Sequence, residues 1–101
     1  RDVNTYLLRA EANNILFSRL DAEYNALPTD SGKERALLAQ IYPIVDNLMA
    51  DYARTVVLAG NNPATKTIRN NAEENLHYFS KVRNPNVAVL LDTYKKEFGI
   101  K

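Results

Sequence analysis

The chain has 101 residues, 46% of them hydrophobic and 25% charged, which suffices for one domain with a single modest core and is too short for two. It contains no cysteine, so a disulfide framework and a thiolate metal site are excluded, and a cytoplasmic location is the expectation. A net charge of +1 argues against a general nucleic-acid binder. No apolar run approaches the roughly eighteen residues that a membrane span requires, and the start lacks a signal-peptide pattern. The chain opens at Arg1 without a methionine, which leaves its native start open.

Charge is unevenly spread. Residues 1 to 65 carry six basic and eight acidic side chains, whereas 66 to 101 carry seven basic and four acidic, so the C-terminal third is the positive pole.

In chain order, Asp2 can cap a helix that runs to about Asn25, with Val3, Tyr6, Leu7, Ala10, Phe17, Leu20 and Tyr24 as a broad apolar stripe. Asn13 and Asn14 intrude near that stripe; because a buried amide must find hydrogen-bond partners, the pair either lies at the stripe's edge or fixes the helix register. Leu27-Pro28-Thr29-Asp30 then ends the helix, because Pro28 disfavours helical geometry in the residue before it.

Ser31-Gly32-Lys33-Glu34 has the form of a capping box and predicts the start of a second, long helix. Leu37, Ile41, the pair Ile44/Val45, Leu48, Tyr52, Val56 and Ala59 recur at steps of three or four along it, which makes it the spine of the fold. Pro43 interrupts this segment. An interior proline removes one backbone hydrogen bond and clashes with the carbonyl four residues back, so the helix is expected to kink near Gln40 to Tyr42 or to divide there. Gly60-Asn61-Asn62-Pro63 ends it.

A third helix is expected from Pro63 to about Val82, with Ala64, Ile68, Ala72, Leu76, Phe79 and Val82 in a narrow stripe that places it on the outside. Asn84-Pro85 repeats the device of an asparagine cap followed by proline. The fourth helix then carries Val87, Leu90, Leu91, Tyr94 and Phe98 on one face, pairs Asp92 with Lys95 or Lys96, and closes at Gly99. Four helices joined by such short connections should run antiparallel to their neighbours, and no segment alternates with period two. The expected fold is an all-α antiparallel four-helix bundle, with the second helix kinked or split near Pro43.

Chemistry is hard to find in these residues. Glu74 and His77 form the Glu-x-x-His pair of di-iron bundles, but a single histidine cannot complete such a site in one chain. Arg69 and His77 lie too far apart for a helical nuclease pattern. Tyr78 and Phe79 crowd the approach that a phosphotransfer histidine needs. Phosphate loops and Ser-His-Asp arrangements are missing, so no enzyme, cofactor or small-molecule substrate is expected. Tyrosines sit on or beside the apolar stripes of every helix, with hydroxyls able to reach water. In the basic C-terminal region, Tyr78, Lys81, Arg83, Tyr94, Lys95, Lys96 and Phe98 form the expected protein-binding set.

Leu20-x-x-x-Tyr24-Asn25-x-Leu27, a turn, Lys33-Glu34-Arg35-x-Leu37-Leu38, then Asn75-Leu76-His77-Tyr78-Phe79 and a short last helix with Leu91-x-x-Tyr94 together resemble the bacteriocin immunity proteins of the enterocin A type, over about residues 16 to 98. The resemblance implies an antiparallel four-helix bundle in the cytoplasm of a Gram-positive bacterium, acting at the inner face of the membrane. It further implies self-protection at the membrane sugar transporter that a pore-forming bacteriocin uses as its receptor, with the C-terminal half setting which bacteriocin is resisted. Pro43 and the end at Lys101 depart from that pattern. The competing expectation is a helical adaptor, phage or secretion accessory protein that binds a partner through an apolar groove.

Overall fold

The computed structural model describes residues 2–28, 31–83 and 86–100. Helices α1 (Val3–Asn25), α2 (Glu34–Ala59), α3 (Lys66–Arg83) and α4 (Val87–Glu97) make up the fold, with a 3-10 turn at Pro63–Thr65 and, among the described residues, no strand. The fold is therefore all-α with four helices, as the periodicity predicts.

Local chemistry sets most of the boundaries. The Asp2 carboxylate accepts from the Asn4 amide at 2.9 Å and starts α1 where expected. The predicted Ser31–Glu34 capping box does not form. Gly32, at φ +77°, turns the chain between the two residues, and the Ser31 hydroxyl accepts from the Lys33 amide at 3.2 Å instead. Helix α2 consequently begins only at Glu34, with Lys33 at the cap position and no side chain capping it. Thr29 and Asp30 of the expected stop lie outside the described residues.

Pro43 lies inside α2, which is one continuous helix and is not divided. The proline is exposed, so its ring lies on the solvent side, and Ala39, whose carbonyl loses its intrahelical amide donor, is exposed as well. At the far end Gly60 takes φ +53°, a conformation that side-chain-bearing residues avoid. The third helix starts later than expected: the Asn62 side chain accepts from the Ala64 amide at 3.0 Å and the Thr65 hydroxyl donates to the Ala59 carbonyl at 2.8 Å, holding Pro63–Thr65 in the tighter 3-10 turn. Asn84 and Pro85 lie outside the described residues, and Asn86 caps α4 by accepting from the Val89 amide at 3.2 Å. Gly99 closes α4 at φ +70°, donating to the Lys96 carbonyl while Ile100 donates to that of Lys95, the paired bonds of a Schellman motif.

Helix α2 is the hub on which α1, α3 and α4 pack. Arg9 of α1 meets Asp51, while Leu27 shares a cleft with Lys33 and Leu37, so α1 and α2 run in opposite directions. Likewise Arg69 of α3 meets Gly60, and Arg83 meets Asp46. Coverage of α2 is uneven. In its C-terminal half Tyr52, Ala53, Thr55, Val56 and Val57 are all buried, because three helices surround it. In its N-terminal half Leu37, Leu38, Tyr42 and Ile44 are only half-buried. The centre of the core is aromatic: Phe79 of α3 meets Phe17 of α1 edge-on at 4.9 Å and stacks with Tyr52 of α2 at 6.4 Å. The result is elongated, 48 × 23 × 18 Å.

Candidate functional site: a basic aromatic face and a polar cleft

Of the residues expected to bind a partner, Tyr78 is 55% exposed, its ring held edge-on by Phe79 at 4.9 Å. Lys81 and Lys95 also point to solvent. Lys96 is exposed and pairs with Asp92 at 3.2 Å, one of the two pairings that the sequence allows. Arg83 is exposed but engaged: it donates to both Asp46 oxygens at 2.9 and 3.2 Å and lies 4.5 Å over the Tyr42 ring, tying the end of α3 to α2. Tyr94 is half-buried beneath the Arg54 guanidinium, and Phe98 is buried with its ring 5.7 Å from that of Tyr6. Tyr94 and Phe98 thus hold α4 in place, and the outward members of the set are Tyr78, Lys81, Lys95 and Lys96. The anchors Asp46 and Arg54 are eight residues apart on α2, about 12 Å along its axis, so the α3 and α4 groups meet α2 at separate levels.

A second site was not visible in the sequence. Asp51 is only 2% exposed, although it is ionisable. One of its oxygens accepts from Arg9 Nη2 and Arg54 Nη1, both at 2.8 Å, and the other accepts from Arg9 Nε at 3.0 Å. Two guanidinium groups from different helices therefore compensate one buried carboxylate, the condition under which a buried charge is tolerated. Arg54 also reaches Glu97 at 3.4 Å and lies 4.5 and 5.6 Å from the rings of Tyr94 and Tyr6. Hydrogen bonding to Asp51 raises the Arg9 guanidinium above its ordinary pKa. For Arg54 burial acts in the opposite sense and is outweighed by Asp51, Tyr94 and Glu97, so it too is raised. Arg9, Asn13, Asn47 and Tyr94 line a polar hollow of about 550 Å³ above this cluster. The sequence signal was an acid three residues before an arginine on an otherwise apolar segment.

Asn14, noted for its intrusion near the α1 stripe, donates to the Tyr52 hydroxyl at 3.2 Å. Burial pushes the Tyr52 phenol above its usual pKa, with the Asn14 hydrogen bond acting in the opposite sense. Arg69 donates to the Gly60 carbonyl at 2.6 Å, to Asn61 at 2.9 Å and to Glu73 at 2.8 Å, and so closes the corner between α2 and α3. His77 is exposed, and among the described residues no three His, Cys, Asp or Glu side chains are grouped to hold a metal ion. No described helix is long and apolar enough to cross a membrane. Comparison with protein-family models, curated proteins and solved structures returns no match.

Proposed function

We propose that this chain is a non-enzymatic recognition protein and, specifically, an immunity protein that protects its host against a pore-forming peptide bacteriocin at the membrane receptor. The observation that carries the reading is the outward face of α3, where Tyr78 stands exposed, edge-on to the buried Phe79 ring, with Lys81 one turn along. A tyrosine packed against a buried ring gives large contact area at low entropic loss, and the lysine one turn along from it suits an acidic or interfacial partner. The sequence resemblance to immunity proteins of the enterocin A type points the same way, and its specificity region coincides with this C-terminal half. Cells expressing the chain should survive a cognate bacteriocin in a panel of such peptides. Tyr78→Ala combined with Lys81→Glu should abolish survival while thermal unfolding stays unchanged. Unaltered killing across the panel would sink the proposal.

A second reading, a helical adaptor, is favoured by one feature. At the open end of the α1–α2 pair, Ala26, Leu27, Ala36 and Leu37 line a mainly apolar cleft of about 520 Å³. Recovery of a defined soluble partner by the native chain and not by Leu37→Glu, together with absent protection, would favour the adaptor.

A further inference from the structure

The end of α2, the start of α3 and the last turn of α4 meet at one end of the bundle. Cations gather there. Lys66, Arg69 and Asn70 share one side of the first turns of α3, since steps of three and four fall on one helix face, and Lys95 comes from α4. Arg69 is fixed in place: its Nε donates to Glu73, and its Nη1 donates to the Gly60 carbonyl and to Asn61 Oδ1 at the α2–α3 corner. Nε and Nη1 are thereby spent, while Nη2 has no partner among the described residues. Lys66 and Lys95 are exposed and, among the described residues, neither pairs with an acid. Three cations set against the single carboxylate of Glu73 leave an excess of two positive charges.

Two hollows meet at Arg69. The smaller, of about 210 Å³, is lined by Val56, Val57, Leu91 and Ile100 together with Arg69 and Lys95. It lies below the roughly 300–1,000 Å³ of sites that enclose a drug-sized ligand and so suits one aliphatic group. The larger, of about 410 Å³, is lined by Gly60, Asn61, Asn62, Lys66, Asn70 and again Arg69. Among the described residues the side-chain amide nitrogens of Asn61, Asn62 and Asn70 donate to nothing, which leaves them available to main-chain carbonyls.

We propose that this end of the bundle binds the C-terminus of a peptide whose last residue is aliphatic. The final side chain enters the smaller hollow, the carboxylate meets Arg69 Nη2 and Lys95, and the preceding peptide units cross the asparagine-lined hollow towards Lys66. Charge complementarity selects this occupant. An apolar hollow beside uncompensated cations suits an aliphatic group with an anion directly attached, which a chain terminus supplies and an internal apolar residue does not. The unused asparagine amides favour a peptide over a simple aliphatic acid, which has no carbonyls to offer them. The site is separate from the surface around Tyr78, which lies nine residues beyond Arg69 and about 14 Å further along α3.

Acetyl-Gly-Gly-Leu with a free carboxylate, titrated into the isotope-labelled full chain, should shift the amide resonances of Gly60, Asn61 and Lys95 with a dissociation constant of about 1 mM or tighter. The C-terminal amide of that peptide and acetyl-Gly-Gly-Gly should each bind about tenfold more weakly or worse, because one lacks the charge and the other the aliphatic group. Arg69 also holds the α2–α3 corner, so the exposed lysines are the residues to change. Lys66→Gln with Lys95→Gln should weaken binding of the acid about tenfold at unchanged melting temperature, while Leu8→Glu, on the exposed side of α1, should leave the constant unaltered. No shift at about 10 mM peptide overturns the proposal, as does equal binding of acid and amide or an unchanged constant in the double glutamine variant. Isovalerate that binds as tightly as the tripeptide overturns it too, since the site would then hold a free short-chain acid and the asparagine-lined hollow would contribute nothing.

Discussion

Arg54 lies over the ring of Tyr94 at 4.5 Å and simultaneously pairs with the buried Asp51 carboxylate at 2.8 Å, so one guanidinium fastens α4 to the most buried part of α2. Arg54→Met keeps much of the side-chain volume but removes both contacts and the one to Glu97. It should lower stability by about 2–3 kcal/mol, read as a drop in the urea midpoint. Amide exchange should accelerate first in α4. Arg54→Lys should rescue little, since an ammonium cannot supply the planar fork that spans Asp51 and Glu97.

The uneven covering of α2 predicts a gradient of mutational sensitivity. Leu48→Ala, at a fully buried position, should cost about 3–5 kcal/mol, whereas Leu37→Ala, half-buried at the open end, should cost less than half of that. Equal losses in chemical denaturation would contradict the gradient.

Tyr52 makes stability depend on alkaline pH. Burial raises its pKa in the folded chain, so the neutral phenol contributes stability that is intact below the unfolded value near 10 and is lost as pH rises through the higher folded value. Denaturant midpoints between about pH 8 and 11 should therefore fall in the native chain and fall less in Tyr52→Phe. Near neutrality that substitution should cost about 1 kcal/mol, the hydrogen bond from Asn14.

Pro43 sits on the exposed side of an unbroken helix. Pro43→Ala restores the missing backbone donor but relaxes the unfolded chain, which offsets about 0.4–1 kcal/mol of the gain. The expected result is a neutral to modestly higher melting temperature with unchanged activity. Loss of activity at full stability would make Pro43 a functional hinge.

Helix number, the α1 boundaries and the closing glycines were legible in the sequence because each rests on local chemistry, such as the Asp2 cap and the left-handed Gly60 and Gly99. The failure at Ser31 was also local: the capping-box pattern ignores a glycine inside it, and Gly32 turned the chain first. What the sequence could not supply was distance. Nothing in residue spacing says that Arg9 of α1 will lie beside Asp51, forty-two positions later, or that Tyr94 and Phe98, on the apolar face that periodicity gives α4, will meet Arg54 and Tyr6 in particular. Such pairings depend on how far each helix slides along the next, which apolar periodicity leaves undetermined.

The hub position of α2 has a kinetic consequence. Its contacts with α1 and α3 join sequence neighbours, and chains rich in such local pairings collapse quickly. Helix α4 must instead return past α3 to reach α2, so its docking is expected after the three-helix nucleus has formed. Leu48→Ala should then slow refolding, while Arg54→Met should leave refolding nearly unchanged and speed unfolding. Refolding slowed alike by both substitutions would mean that α4 already belongs to the nucleus.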